Sequence, residues 1–235
     1  MKNLAIIPAR GGSKRIPKKN IKDFLGKPII TYSIEAALKS SLFNEVMVST
    51  DDEEIAEIAQ KYGAKVPFLR SENTTNDYAT LTDVVKEVLV NYQEIRKLFD
   101  NTCLLLATAP FVNEEKLIKA YNLLITKNAD CVITVTEYSF PIQRSFKIID
   151  NGYLKMNWPE NMNKRSQDLE KTYHSAGQFC FFKTCEFFKQ NKLYMEKLYP
   201  FILDNLEVQD IDTETDWKLA EMKYKLILEM KRSLL

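Results

Sequence analysis

Histidine is almost missing from this chain: His174 is the single one in 235 residues, and the four cysteines form no Cys-x-x-Cys pair. A zinc site is therefore not expected, and with no nucleophile patterned beside the one histidine the common Ser-His and Cys-His arrangements are excluded as well. Cys103, Cys131, Cys180 and Cys185 read as free thiols, three of them within apolar runs, in a reducing compartment. Net charge is missing too, since 33 Lys and Arg stand against 32 Asp and Glu. Nothing in that balance calls for nucleic acid or a membrane surface, so small molecules are the expected partners. No apolar run approaches the ~20 residues of a membrane-spanning helix. The chain opens on a strand rather than on a basic segment with an apolar core, so no signal peptide is expected and the location read from it is cytoplasmic. A Walker A loop, a Gly-x-Gly-x-x-Gly fingerprint, internal repeats and low-complexity tracts are all lacking.

What the chain does have begins at residues 5 to 20: Ala-Ile-Ile-Pro-Ala-Arg-Gly-Gly-Ser-Lys-Arg-Ile-Pro-Lys-Lys-Asn. A short apolar strand runs straight into a loop carrying Gly11, Gly12 and the cations Arg10, Lys14, Arg15, Lys18 and Lys19. Adjacent glycines let backbone approach a ligand and turn its N–H groups toward an anion. In a charge-balanced chain such a cluster is local, and it suits a small polyphosphate. A solvated basic turn has the same composition, but the end of the first strand of an α/β pattern is where such folds bind ligands.

Strand and helix patterns alternate over most of the chain. Strands are expected at Leu4 to Pro8, Val46 to Thr50, Val66 to Leu69, Cys103 to Ala107, Cys131 to Val135 and Gln178 to Phe182; helices at Pro28 to Lys39, Glu53 to Tyr62, Leu81 to Lys97, Glu114 to Lys127 and Thr213 to Met230. This rhythm predicts one α/β domain with a mainly parallel sheet and helices on both faces. It breaks at about 137–172, a polar stretch with turn signals and one short strand candidate at Phe146 to Ile149, which reads as an inserted arm.

A second chemical cluster lies at Asp210-Ile211-Asp212. Residues two apart in an extended segment share a side, and one or two carboxylates are what Mg²⁺ takes when phosphates and water complete its shell. Asp212 could equally cap the helix that follows. A polyphosphate loop and a hard-cation site together suggest transfer chemistry on a nucleoside triphosphate.

Four segments in order, Pro8 to Asn20, Gly26-Lys27-Pro28, Val48-Ser49-Thr50-Asp51 and Asp210 to Glu214, resemble the CMP-nonulosonate (CMP-sialic acid) synthetases. That resemblance implies a Rossmann-like nucleotidyltransferase fold spanning 1–235 as a single domain, with the arm serving dimerisation. It also implies CTP as donor, Mg²⁺ as cofactor, a nine-carbon acid sugar as acceptor and a homodimer. Leu106-Ala107-Thr108-Ala109-Pro110-Phe111 and Tyr173 to Phe179 resemble the subgroup that activates pseudaminic acid, whose CMP-sugar serves cell-surface or flagellin glycosylation. Leu106 then stands where sialic acid enzymes have glutamine, an apolar lining suited to a deoxygenated, methyl-bearing sugar. Other acceptors, legionaminic acid, N-acetylneuraminic acid and 3-deoxy-manno-octulosonate, stay open, as does a catalytically silent nucleotide-binding protein.

By the same resemblance, Ala9, Arg10, Gly11, Gly12, Ser13, Lys14, Lys19 and Asn20 bind the triphosphate and ribose, with Arg70, Ala79 and Thr80 near the base. Leu106, Thr108, Gln143, Arg144, Arg165, His174 and Gln178 are the implied sugar contacts, the arm residues reaching across a dimer. Arg10, Lys19, Asp210 and Asp212 form the implied catalytic set, the two aspartates holding the metal.

Overall fold

The computed structural model describes residues 1–233. Strand β1 (Asn3–Pro8) leads through the cationic loop to a small hairpin, β2 (Asp23–Phe24) and β3 (Lys27–Pro28), and then to α1 (Ile30–Lys39). Next come β4 (Glu45–Ser49), α2 (Glu53–Lys61), a single turn α3 (Glu72–Thr75), α4 (Leu81–Glu94), β5 (Asn101–Leu105), α5 (Glu114–Thr126) and β6 (Cys131–Glu137). The arm carries β7 (Phe146–Ile148) and β8 (Leu154–Met156). The chain returns to the body with β9 (Tyr173–Lys183), α6 (Thr184–Gln190), β10 (Leu198–Leu203) and α7 (Glu214–Arg232). No helix among the described residues is long and apolar enough to cross a membrane.

Six strands form one sheet in the order β10-β6-β9-β5-β1-β4. The β1–β4, β1–β5 and β6–β10 pairings are parallel, and β9 runs antiparallel to both of its neighbours. The chain leaves β1 for β4 on one side and later enters β5 on the other, so the carboxyl ends of β1 and β5 flank a crevice of the kind in which open α/β sheets bind ligands. Alternate strand residues explain the two covered faces. Ala5, Ile7, Val46, Val48, Cys103 and Leu105 meet α1, α2 and α5; Leu4, Ile6, Met47 and Leu104 meet Val85, Val88, Leu89 and Tyr92 of α4.

Three expectations are corrected. Val66 to Leu69 is not a strand: Lys65 alone bridges to Met47, and Pro67 within the segment has no N–H for a ladder. The first helix begins at Ile30 rather than Pro28, because Lys27 and Pro28 pair with Phe24 and Asp23 around a tight turn in which Leu25 and Gly26 both have positive φ, 53° and 101°. Strand β10, unexpected in a Leu-Tyr-Pro-Phe-Ile-Leu segment, lies on the sheet edge, where proline costs no partner.

The last helix is seated on the β2–β3 hairpin rather than on the sheet. Phe24 sits edge-on to Tyr32, Trp217 and Tyr224 at centroid distances of 5.5, 5.6 and 5.7 Å, joined by buried Ile16, Phe111 and Ile211. Aromatic contacts of this geometry add about 0.5–1.5 kcal/mol each beyond their buried area. The cluster carries an anchor from the cationic loop and one from the Asp210–Asp212 segment, so two ends of the sequence are packed into one unit.

Candidate active site

Beyond β1 the backbone stays clamped to β4, with Ala9 N–H donating to Ser49 O at 2.9 Å. Gly11 N–H donates to Asp51 Oδ1 at 2.9 Å. A Cβ at Gly11 would come within 2.5 Å of Asp52 Oδ2, whereas one at Gly12 would meet nothing within 4 Å. The two glycines thus serve different ends: Gly11 makes room for β4's carboxylates, and Gly12 leaves open space. The N–H groups of Gly11 and Ser13 are both taken by protein acceptors, the latter by Gly11 O. Buried Asn20 donates to Arg10 O at 2.9 Å and fixes the loop from below. Lys18 takes up a left-handed conformation, φ 50°, that starts the 3₁₀ turn Lys19–Ile21.

The loop then meets the far end of the chain. Lys19 Nζ donates to Ile211 O at 2.7 Å and lies 3.4 Å from Asp212 Oδ1, which Arg15 approaches at 3.0 Å. Helix α7 does not use Asp212 as its cap: Thr213 and Asp216 form a reciprocal capping box. The Asp212 carboxylate is therefore left to face the cations. Asp210 is exposed and outside the cavity lining.

A cavity of about 470 Å³ opens between the loop and the segment from Arg70 to Leu81. Arg70 donates its Nε to Ser49 Oγ at 2.8 Å and its backbone N–H to Thr50 O at 2.9 Å. Burial pushes its guanidinium down to about 10 against the pull of Asp51 and Glu87, and no carboxylate is paired with it among the described residues. A desolvated guanidinium with spare donors is a costly thing to keep beside a cavity unless a ligand accepts from it. Asp77 faces the opposite way: its carboxylate lies 3.0 Å from Arg10 Nη1 and also contacts Lys14 Nζ. Lys14 and Arg10 hold that carboxyl below its ordinary value. Two loop cations are thus occupied by an internal anion.

The third wall follows β5. Leu106 N–H donates to Gln178 O and Ser33 Oγ donates to Leu106 O, each at 2.8 Å. Behind Leu106 is a recess of about 110 Å³ lined also by Gln178 and Ser175. The Gln178 amide donates to Glu207 O at 2.5 Å, which points its unpartnered Oε1 the other way.

Of the residues expected from the sequence, Arg10, Ser13, Lys14, Lys19, Asn20, Arg70, Ala79, Thr80, Leu106, Thr108 and Asp212 line one cavity. Ala9 lies buried beneath it, and Gln178 borders the recess. The arm residues are elsewhere in this chain: Gln143 donates to Glu170 O, Arg144 to Ser166 Oγ and Met162 O, and Arg165 pairs with Asp168. His174 packs against Tyr138 at the arm's root, the ring centroids 4.7 Å apart and the planes tilted by 56°. Thr74, Asn76, Asp77 and Leu81 also line the cavity and were not anticipated. The signal for Thr74, Asn76 and Asp77 was the polar run that precedes α4, and Leu81 opens that helix.

With this geometry in hand, comparison with known proteins decides the family. The family described as Cytidylyltransferase matches residues 4–225. The chain belongs to the cytidylyltransferase family. It is 46% identical over 226 residues to the pseudaminic acid cytidylyltransferase of Campylobacter jejuni, covering 96% of this chain and 97% of that one. It is 35% identical over 233 residues to the CMP-N,N'-diacetyllegionaminic acid synthase of Legionella pneumophila, with the same two coverages. Among solved structures, a CMP-2-keto-3-deoxy-manno-octonic acid synthetase complexed with CTP superposes with a TM-score of 0.68 at 19% identity, over 97% of this cytidylyltransferase and 100% of that chain. That last likeness establishes the nucleotidyltransferase fold, in agreement with the sheet order.

Proposed function

We propose that this cytidylyltransferase activates pseudaminic acid with CTP, giving CMP-pseudaminic acid and pyrophosphate. The observation that carries the reading is the cavity with a cationic loop at one end, the half-buried Arg70, which meets no carboxylate among the described residues, at the other and the apolar Leu106 wall between them. Its length and polarity suit a triphosphate, a base and the edge of a sugar. Cytosine presents two adjacent acceptors, O2 and N3, which a guanidinium can satisfy at once, whereas uracil places an N–H at that second position. Near-complete mutual coverage with the Campylobacter relative supports the acceptor, as does Leu106 beside a small, largely apolar recess.

In this reading the anomeric hydroxyl of the sugar gives up its proton to water, its oxygen forms a bond to the α-phosphorus, the bond from that phosphorus to the bridging β-phosphate oxygen breaks, and pyrophosphate leaves. Arg10, Lys14 and Lys19 hold the departing phosphates, and their charge offsets what develops there. Asp77 releases Arg10 and Lys14 as the triphosphate enters. No group of three His, Cys, Asp or Glu side chains gathers among the described residues, so the protein alone builds no metal cage. Asp212, which lines the cavity, is the carboxylate that would hold a hard cation there, with Asp210 two residues away as a second donor outside the lining. Mg²⁺, if bound there, would supply further charge neutralisation on the phosphates.

Homodimerisation through the arm belongs to the same proposal. Phe140 and Ile148 are 83% and 75% exposed, and Arg144 and Arg165 are not among the residues lining this chain's own cavity, which fits an arm that completes a second copy's site. A cytoplasmic location fits a CTP-consuming enzyme with unpaired thiols.

The test is pyrophosphate release with CTP and each of four acids: pseudaminic, legionaminic, N-acetylneuraminic and 3-deoxy-manno-octulosonic. The expected result is fastest turnover of pseudaminic acid, with the CMP-sugar detected by mass. Faster turnover of another acid would overturn the acceptor, and CTP binding without any product would overturn the activity.

A further inference from the structure

Lys116 is placed against its local interests. It occupies the first turn of α5, where the Asn113 cap takes its backbone N–H at 3.0 Å, and a cation at that end opposes the helix dipole. Its side chain is also only 11% exposed, and burial lowers its pKa although Glu207 opposes the shift. Both features disfavour lysine, so the reason for it lies in what its ammonium reaches.

It reaches two segments that border the site. Nζ donates to Phe111 O at 2.8 Å and lies 2.9 Å from Glu207 Oε1. Phe111 ends the turn that carries Leu106 and Thr108; Glu207 opens the stretch that reaches Asp210 and Asp212. The same residue is tied a second time, since Glu207 O accepts from the Gln178 amide, and the following Val208 O accepts from Lys223 Nζ at 2.6 Å. Lys116 and Glu207 together thus join the acceptor wall after β5, through Phe111, and the recess residue Gln178 on β9 to the carboxylate segment after β10.

We propose that Lys116, acting through Glu207 and Phe111, is a positioning residue that sets the spacing between the Leu106–Thr108 wall and the Asp210–Asp212 segment. It touches no substrate. Besides the Lys19 bond to Ile211 O, the triphosphate loop has anchors of its own, to Ser49 and Asp51 at the end of β4 and through Asn20, so loss of the tie acts mainly on the transfer step and leaves nucleotide docking largely intact. The kinetic part of this inference rests on the proposed CTP-dependent transfer; the structural part does not.

The experiment uses Lys116→Met, which keeps the length and apolar stem, Glu207→Gln, which keeps the shape, and the double variant. Hydrogen–deuterium exchange of the full-length protein is expected to rise in residues 106–112 and 205–212 of each variant and to stay unchanged in 9–13, which is braced by the end of β4. Steady-state rates are expected to fall about 10- to 100-fold in kcat, the cost of a small misplacement of reacting groups. The KM for CTP should stay within about twofold, and the double variant should be no worse than the worse single, because the two residues act as one unit. Unchanged exchange in both segments would overturn the tie. A lower melting temperature with unaltered kcat would make Lys116 merely structural. A wild-type protein that makes no CMP-sugar would defeat the proposed activity instead, leaving the exchange result to judge this one.

Discussion

The cationic loop and the inserted arm are both irregular, polar stretches, yet they are built on opposite plans. The loop is fixed from outside itself: Gly11 is held by Asp51, forty residues on, and Lys19 by Ile211, 192 residues on. The arm is held at its root, where Tyr138 N–H donates to Thr172 O at 3.0 Å, and beyond that its bonds stay internal, as in Asn157 to Ser145 and Arg165 to Asp168. The loop buries Ile16, while the arm leaves Phe146, Ile148, Tyr153 and Leu154 exposed. Charge with long-range bracing marks a site made ready within one chain. Apolar surface with only local bracing is what the proposed dimer contact of the arm needs.

The sharpest way to break this contrast is at the loop's longest-range contact. Lys19→Met should cut turnover by roughly 10²–10³-fold, the scale for losing one preorganised charge-stabilising group, with the melting temperature nearly unchanged; stopped assays of pyrophosphate release together with thermal melts would show it. Full activity in that variant would mean the bracing is incidental. On the arm, replacing 146–156 by a short Gly-Ser turn should yield monomers by light scattering and lower sugar transfer at least tenfold, while calorimetric CTP binding is retained. A dimer of unimpaired activity would remove the arm from both roles.

Smaller effects sharpen the picture of the loop itself. Gly11→Ala forces its new methyl against Asp52, a strain of about 1–3 kcal/mol by analogy with overpacked interiors, so weaker CTP binding and a lower denaturation midpoint are expected. Gly12→Ala, facing open space, should leave the midpoint alone and weaken only the ligand. Last comes Asp77→Asn. Removing the internal anion from Arg10 and Lys14 should tighten pyrophosphate binding by at most about tenfold, since exposed ion pairs are individually weak. Weaker binding would show that Asp77 instead orients those two cations.

Much of the architecture was readable because its causes are local. Apolar alternation and helix caps place β1, β4, β5 and β6 and the helices between them, and a cation run after the first strand marks the site. Residues were missed where the cause is remote. Leu198 to Leu203 becomes a strand because it finds β6 at a sheet edge that tolerates Pro200. Asp77 belongs to the site because its loop folds back over Arg10, and Lys116 because two strand ends converge on it. In the same way Asp212 could be read as a helix cap until Thr213 and Asp216 were seen to form the capping box.

The amino-acid sequence by itself determined the α/β class, the cationic run at residues 10 to 20, the acidic segment at 210 to 212 and the near-lack of histidine, since composition and short-range periodicity carry those directly. Only the tertiary structure decided which charges face a ligand and which face one another. Arg70 remains unpaired while Arg10 and Lys14 meet Asp77, and Asp212 rather than Asp210 enters the cavity, because partner choice depends on where distant segments are packed. That packing is set by the sheet order and the aromatic cluster beneath α7, which no short window of sequence contains.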